Sequence, residues 1–140
     1  TASHIRIHGL FILQKKIVRI ICGVPPKTHS LPLFKGIGVL NIAQLYQYSI
    51  GLFMYKFSHM LIPPHLFDDM FIPVAEVHSY ETRQAHGLYT PYCKSAQSQK
   101  SVRYLGSKLW NTLGQNVITQ CAIGTFKKNL KIYVLDDFFM

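Results

Sequence analysis

The sequence has few cysteines and lacks the residue sets of the common catalytic sites. Its three cysteines include no CxxC pair, which argues against a disulfide scaffold and against a local four-ligand zinc site. No Gly-x-Ser-x-Gly, P-loop or glycine-rich dinucleotide turn occurs, so we expect no catalytic residue in this chain. The chain starts at Thr1 without a charged-then-apolar leader, so we expect no secretory signal and a segment of a longer protein.

Metal-ligand patterns are lacking as well, although the chain has seven histidines. No histidine pair has the spacing of a helical metal site with a carboxylate between its members. His78, His86 and Cys93 share one loop-rich region, but their spacing matches no known ligand pattern. We therefore expect no metal site and no cofactor in this chain.

The end of the chain contains a near match to a polymerase turn. Tyr133-Val134-Leu135-Asp136-Asp137 has one residue more than a Tyr-x-Asp-Asp turn. Two-metal phosphoryl transfer needs paired carboxylates on a tight hairpin and a third carboxylate on a neighbouring strand. The segment before the two aspartates has a helical pattern, so we interpret them as an acidic helix end rather than a catalytic pair.

Acidic residues are scarce and unevenly placed. The chain has 15 Lys and Arg against 6 Asp and Glu, a formal net charge of +9. Residues 1–67 hold seven bases and no acid, and residues 82–135 hold eight bases and no acid. Such blocks create a positive potential that attracts a polyanion, and solubility alone explains them poorly. The charge distribution therefore predicts contact with nucleic acid.

The hydrophobic pattern predicts a mainly α protein, a small helical bundle. Apolar residues recur at three- to four-residue spacing over residues 10–22, 41–59, 101–113 and from 125 onward, with one further turn at 65–71. Residues 72–99 lack this pattern and predict an extended, loop-rich connector, with a short β-hairpin as an open alternative. We expect three segments, 1–71, 72–99 and 100–140, packed as one unit.

Details of the predicted helices follow from single residues. Asn41 is the expected N-cap of the second helix, with Gln44 returning the hydrogen bond. Although residues 36–55 carry no charge, polar residues interrupt them, so we expect a core helix and no membrane contact. Gly106 is an expected break in the third helix, and Thr125 the expected cap of the last one. The side chains expected to face inward are Leu10, Leu13, Ile17, Ile20, Ile21, Trp110, Phe126, Leu130, Tyr133 and Val134.

The candidate nucleic-acid-binding residues are basic side chains on the helix backs or beside tyrosines. Lysine and arginine suit phosphate contact, and tyrosine suits base stacking. A solvated helix back stays an alternative for the first helix, and pairing with Glu76 or Glu81 stays one for Arg83. The full candidate set is Lys15, Lys16, Arg19, Arg83, Arg103, Lys108, Lys127, Lys128 and Lys131.

Short motifs along nearly the whole chain resemble one known family. They are Leu13-Gln14-Lys15-Lys16, Val18-Arg19-Ile20-Ile21, His29 to Pro32-Leu33-Phe34, Leu45-Tyr46, Phe53-Met54-Tyr55-Lys56, His78-x-Tyr80-x-Thr82-Arg83, Ser101-x-Arg103-Tyr104-x-Gly106-x-Lys108-Leu109-Trp110-Asn111-x-Leu113 and Phe126-Lys127-Lys128-x-Leu130-Lys131-x-Tyr133. Their order and spacing resemble the region just downstream of the polymerase core in LINE-type reverse transcriptases of non-LTR retrotransposons, most of all the jockey-like group.

The resemblance implies a role beside a catalytic centre that lies elsewhere. The family performs RNA-directed DNA synthesis, and its catalytic aspartates, with their Mg²⁺, belong to an upstream palm that no residue here matches. This segment would be the end of the thumb and the C-terminal extension, gripping RNA or an RNA–DNA hybrid next to the upstream polymerase core of the same polyprotein, in the cytoplasm and nucleus. An interaction module docking on that core and an inactive remnant of a decayed element are the alternatives.

Overall fold

Helices make up most of the described chain. The computed structural model describes residues 2–63, 67, 69–77, 87–113, 115–119 and 122–136. The elements are α1 (Ala2–Ile21), α2 (Leu31–Gly36), α3 (Ile42–Ser58), α4 (Val74–Val77), a 3₁₀ turn (Ser98–Lys100), α5 (Val102–Thr112), α6 (Gln115–Ile118) and α7 (Ile123–Asp136). The predicted mainly α class is confirmed.

Helix α1 ends where the sequence predicts and begins earlier. Gly23 takes a left-handed backbone (φ 63°), and its N–H donates to the Ile20 carbonyl at 3.1 Å. The Val24 N–H donates to the Arg19 carbonyl at 3.1 Å, which completes a Schellman motif. The predicted start at residue 10 is wrong, because the helix begins at Ala2. The residues before Leu10 lack the apolar spacing from which a helix could be predicted.

Helix α3 begins with the predicted capping box. The Asn41 side-chain oxygen accepts from the N–H groups of Ala43 and Gln44, each at 3.0 Å. The Gln44 side-chain oxygen accepts from the Asn41 N–H at 3.0 Å. Gln14 of α1 adds an acceptor for the Ile42 N–H at 2.9 Å. The N–H groups of residues 41–44, which have no carbonyl partner within the helix, therefore all donate to side-chain oxygens.

The chain forms two compact units, one of residues 1–46 with 131–140 and the other of residues 47–130. In the first unit Val18, Phe34, Leu40 and Val134 are buried, and the Gln44 amide donates to the Val134 carbonyl at 3.0 Å. The predicted segments 1–71, 72–99 and 100–140 divide the chain by sequence pattern and stay a prediction.

The second unit has an aromatic core. The rings of Tyr55 and Phe126 stack with centroids 4.3 Å apart, and Trp110, 9% exposed, lies 6.4 Å from Phe126. Gly51 allows a close approach of α7, because a Cβ there would lie 2.7 Å from Leu130 Cδ2. Trp110 is therefore a core residue, as the sequence predicts.

Two expectations about helix breaks and caps are wrong. Gly106 does not interrupt α5; it is buried, and a Cβ there would lie 2.8 Å from Met54 Sδ, so close packing explains this glycine. Thr125 does not cap α7, which begins at Ile123. The Ala122 carbonyl already accepts from the N–H groups of residues 125 and 126, which places Thr125 inside the first turn.

The predicted connector contains one short pairing in its described part. An antiparallel bridge joins Pro73 and Leu88, and the Asn111 side chain clamps Leu88 by donating to its carbonyl at 2.7 Å and accepting from its N–H at 2.8 Å. Residues 78–86 lie outside the described residues, and so do residues 65, 66 and 68 of the turn expected at 65–71. In the described part of that turn the Met70 N–H donates to the Phe67 carbonyl at 2.9 Å. The described part thus holds a single bridge at the place where a hairpin was an open alternative.

Candidate nucleic-acid interface

Helix α7 presents three of the predicted basic residues to solvent. Phe126, Leu130 and Val134 are buried at four-residue spacing, as predicted for this helix. Lys127, Lys128 and Lys131 are exposed, and residues three and four apart lie on one side of a helix. The inward and outward sides predicted for these residues of α7 are therefore confirmed, and the three ammonium groups form a local cluster, here called the α7 lysines.

The basic residues of α1 are less free than the sequence suggests. The Lys15 ammonium lies 4.0 Å from the centroid of the Phe11 ring, a cation–π contact. The Arg19 Nε–H donates to the Thr28 carbonyl at 2.7 Å and so fixes the loop after α1. Lys16 is exposed. Structural contacts thus engage Lys15 and Arg19, and Lys16 has the most exposed charge of this group.

Helix α5 does not gather its two predicted bases on one side. Arg103 and Lys108 are both exposed, but residues five apart point about 140° from one another around a helix. Arg83 lies outside the described residues. Among the candidates after residue 100, the α7 lysines therefore form a cluster on one helix, and Arg103 and Lys108 are separate charges on another.

The predicted inward side of α1 is wrong. The five apolar residues expected to face inward are 52–77% exposed, while Val18, next to Ile17 in the sequence, is 3% exposed. Gln14 faces the protein side instead, where its side-chain oxygen accepts from the Ile42 N–H, and Lys15 packs on Phe11 of the same helix. Spacing identifies an apolar stripe, but it does not tell which side of a helix the rest of the protein covers. The exposed residues of this side, here called the α1 stripe, are Leu10, Leu13, Ile17, Ile20 and Ile21.

The sequence did not single out Tyr92, the most exposed aromatic side chain among the described residues. Tyr92 is 82% exposed in the extended segment before the 3₁₀ turn, and Lys94, two residues on, is exposed as well. The Gln99 amide donates to the Cys93 carbonyl at 3.1 Å and holds the backbone between them. An exposed ring beside a base suits stacking on a nucleobase. The sequence offered no signal for it, since loop exposure follows no period.

The first unit also contains a small pocket. Its volume is about 380 Å³, and its lining includes His29, Phe34, Asn41, Lys35 and Asp136. The Lys35 ammonium and the Asp136 carboxylate form an exposed salt bridge at 2.6 Å. Asp136 therefore ends α7 beside a lysine, and the helix through Tyr133 is not a polymerase hairpin.

Metal-ligating side chains stay apart in the part of the chain that the structure describes. Within it, His, Cys, Asp and Glu do not come together in any group of three that could hold a metal ion. None of the described helices combines the length and apolar character that a bilayer crossing requires. His78 and His86, which the sequence places near Cys93, lie outside the described residues.

These features define a mainly α protein with an exposed basic helix and an exposed apolar helix side. No protein-family model matches this chain, and neither a curated protein nor a solved structure matches it. Its function is therefore inferred from the residues themselves and from the resemblance of their motifs.

Proposed function

We propose that this chain is a non-catalytic, nucleic-acid-binding segment of the kind found at the C-terminal end of LINE-type reverse transcriptases. It binds RNA or an RNA–DNA hybrid through phosphate contacts. The observation that carries the proposal is the α7 cluster, Lys127, Lys128 and Lys131, exposed together in a stretch without acids. The catalytic aspartates and their Mg²⁺ belong to the upstream polymerase core, and the parent protein acts in the cytoplasm and nucleus.

The chemistry of the α7 lysines favours backbone binding over base reading. A lysine ammonium is a compact, hydrated point charge that neutralises a phosphate without the paired donors that read a base edge. Like charges at three- and four-residue spacing destabilise an isolated helix by a few tenths of a kcal/mol per pair. A phosphate backbone along this side reverses the sign of that interaction, so binding should be tolerant of sequence and sensitive to salt.

The test is the triple variant Lys127→Gln, Lys128→Gln and Lys131→Gln. We expect its affinity for a labelled single-stranded RNA to fall and the salt slope, log K against log [KCl], to become shallower by about 2, as three lost phosphate contacts imply. Fluorescence anisotropy of the full chain measures both.

The matched control removes the same charge elsewhere. Lys27, Lys56 and Lys100 are exposed and are not part of the proposed site, so their joint change to Gln should leave most of the affinity. If both triple variants lose affinity equally, overall charge and not the α7 cluster is responsible, and the proposed site is wrong.

A second candidate function is an interaction module that docks on the upstream polymerase core. The exposed α1 stripe favours it, because Ile20 is 77% exposed and Ile21 is 66% exposed. If this chain alone aggregates and co-expression with such a core restores a monodisperse complex, the docking function gains support. The triple α7 variant separates the two functions, since it should weaken RNA binding and leave docking through the α1 stripe intact.

A further inference from the structure

The α1 stripe has the spacing of a helix-packing seam. Leu10, Leu13, Ile17 and Ile20 alternate steps of three and four residues, the a and d positions of two heptads. They are 52%, 53%, 54% and 77% exposed. Two heptads are too few for a free-standing coiled coil, but they suffice to pack one helix against another.

The charge beside this seam has no acidic counterpart nearby in the sequence. Lys16 takes the g position, next to the seam, and is exposed. Residues 1–67 contain no acid, and Asp136 of the same unit pairs with Lys35. Residues at g form ion pairs with the flanking positions of a partner helix, so this edge favours a partner with a carboxylate.

A second copy of this chain fits the seam poorly. In an antiparallel pair of α1 helices the two Lys16 ammonium groups would approach each other. In a parallel pair each Lys16 would face Ile21, which offers no charge. The net charge of +9 on each chain adds a general repulsion.

We propose that the α1 stripe is a docking site for an amphipathic helix of a protein partner that carries Glu or Asp along the edge of its own apolar seam. The apolar seam shares no residue with the α7 lysines, and Lys16 is the residue that belongs both to this docking edge and to the candidate phosphate contacts. The acidic edge selects the partner, and the apolar seam supplies most of the affinity.

Two synthetic helical peptides of about three heptads test the proposal with the full chain. Both carry Ile at a and Leu at d; one has Glu at e and g, and the other has Lys there. We expect the Glu peptide to bind and the Lys peptide to bind at least about tenfold more weakly. The variant Lys16→Glu should reduce or reverse the difference in affinity between the Glu peptide and the Lys peptide. If both peptides bind the original chain equally well, the proposal of an acidic partner helix is wrong.

Variants within α1 separate the seam from the rest of the helix. Ile17→Gln with Ile20→Gln should weaken the Glu peptide at least about tenfold; both residues are exposed, so the fold should persist. Ile12, 41% exposed and off the seam, provides the matched control, Ile12→Gln. If Ile12→Gln weakens binding of the Glu peptide as much as the seam variant does, the seam is not the binding surface.

Two further measurements test two other occupants of the α1 stripe, a second copy of this chain and a lipid surface. Sedimentation should show a monomer, and a dimer that Ile17→Gln dissociates would identify a second copy as the occupant. Vesicles of phosphatidylcholine and phosphatidylserine should not compete with the Glu peptide. Competition that depends on Ile17 and Ile20 would identify a lipid surface and overturn the proposal. RNA binding of the Ile17, Ile20 and Ile12 variants should stay unchanged, so a failed proposed function and a failed docking site give different results.

Discussion

Met60 ends helix α3 in a backbone conformation that side chains disfavour. Its φ is 54°, its N–H donates to the Phe57 carbonyl at 3.1 Å, and the Leu61 N–H donates to the Lys56 carbonyl at 2.8 Å. This is the Schellman arrangement that Gly23 forms at the end of α1, but here a residue with a Cβ occupies the left-handed position.

The variant Met60→Gly should therefore raise the free energy of unfolding by about 0.5–1 kcal/mol, because glycine relieves the left-handed strain. The Met60 side chain is 79% exposed, so little packing is lost. Urea unfolding followed by circular dichroism measures the change. Gly38 is the control, with φ 65° and open space where a Cβ would lie; Gly38→Ala should lower the stability by a similar amount. A stability loss in Met60→Gly would contradict the strain at this position.

Ser107 places a hydroxyl group in the core of the second unit. The side chain is fully buried, and its Oγ has no hydrogen-bond partner among the described residues. A buried hydroxyl without a partner costs about 1–3 kcal/mol.

We expect Ser107→Ala to raise the free energy of unfolding by about 1 kcal/mol, since it removes the unpaired group and improves helix propensity. Ser101, at the N-cap of the same helix, is the contrasting case, because its side chain accepts from the Tyr104 N–H at 3.3 Å. Ser101→Ala should cost about 1 kcal/mol. If the two variants shift the urea midpoint in the same direction, the Ser107 hydroxyl has a partner and does not destabilise the core.

At the scale of elements, Gly51 sets how closely α7 approaches α3. An added Cβ would lie 2.7 Å from Leu130 Cδ2 and 2.9 Å from its Cδ1, and Leu130 is fully buried. We expect Gly51→Ala to lower the free energy of unfolding by about 1–2 kcal/mol, because overpacking outweighs the gain in helix propensity.

The control for this prediction is a glycine in an open helix position. Nothing lies within 4 Å of an added Cβ at Gly9, inside α1, so Gly9→Ala should raise stability by about 0.5–1 kcal/mol. Thermal melts of both variants give the comparison. A Gly51→Ala variant as stable as the original chain would mean that α7 has room to move.

Local features of the elements could be predicted from the sequence. Asn41 and Gln44 form the expected capping box and Gly23 the expected helix end, because such motifs depend on residues within one turn. The covered side of α1 could not be predicted. It depends on the contact of Gln14 with a residue distant in sequence, and an apolar stripe has the same period on either side.

At the scale of the whole molecule, the charge distribution is the feature that can be predicted most directly from the sequence. Two acid-free blocks surround one acidic stretch, and the α7 lysines are exposed as the pattern predicts. The partners of Lys15 and Arg19 were not predicted: the Phe11 ring lies one turn before Lys15 in the same helix, and the Thr28 carbonyl meets Arg19 only in the folded chain. Of the eight candidate residues that the structure describes, six are exposed: Lys16, Arg103, Lys108, Lys127, Lys128 and Lys131.

The most direct test of nucleic-acid binding is the affinity of the full chain for a single-stranded RNA as KCl rises from about 50 to about 200 mM. If the six exposed bases contact phosphates, log K should fall against log [KCl] with a slope of roughly −4, a loss of about two orders of magnitude over this range. RNAs of unrelated sequence should give the same slope. An affinity that stays flat over this range would contradict the proposal that these basic helices bind the phosphate backbone.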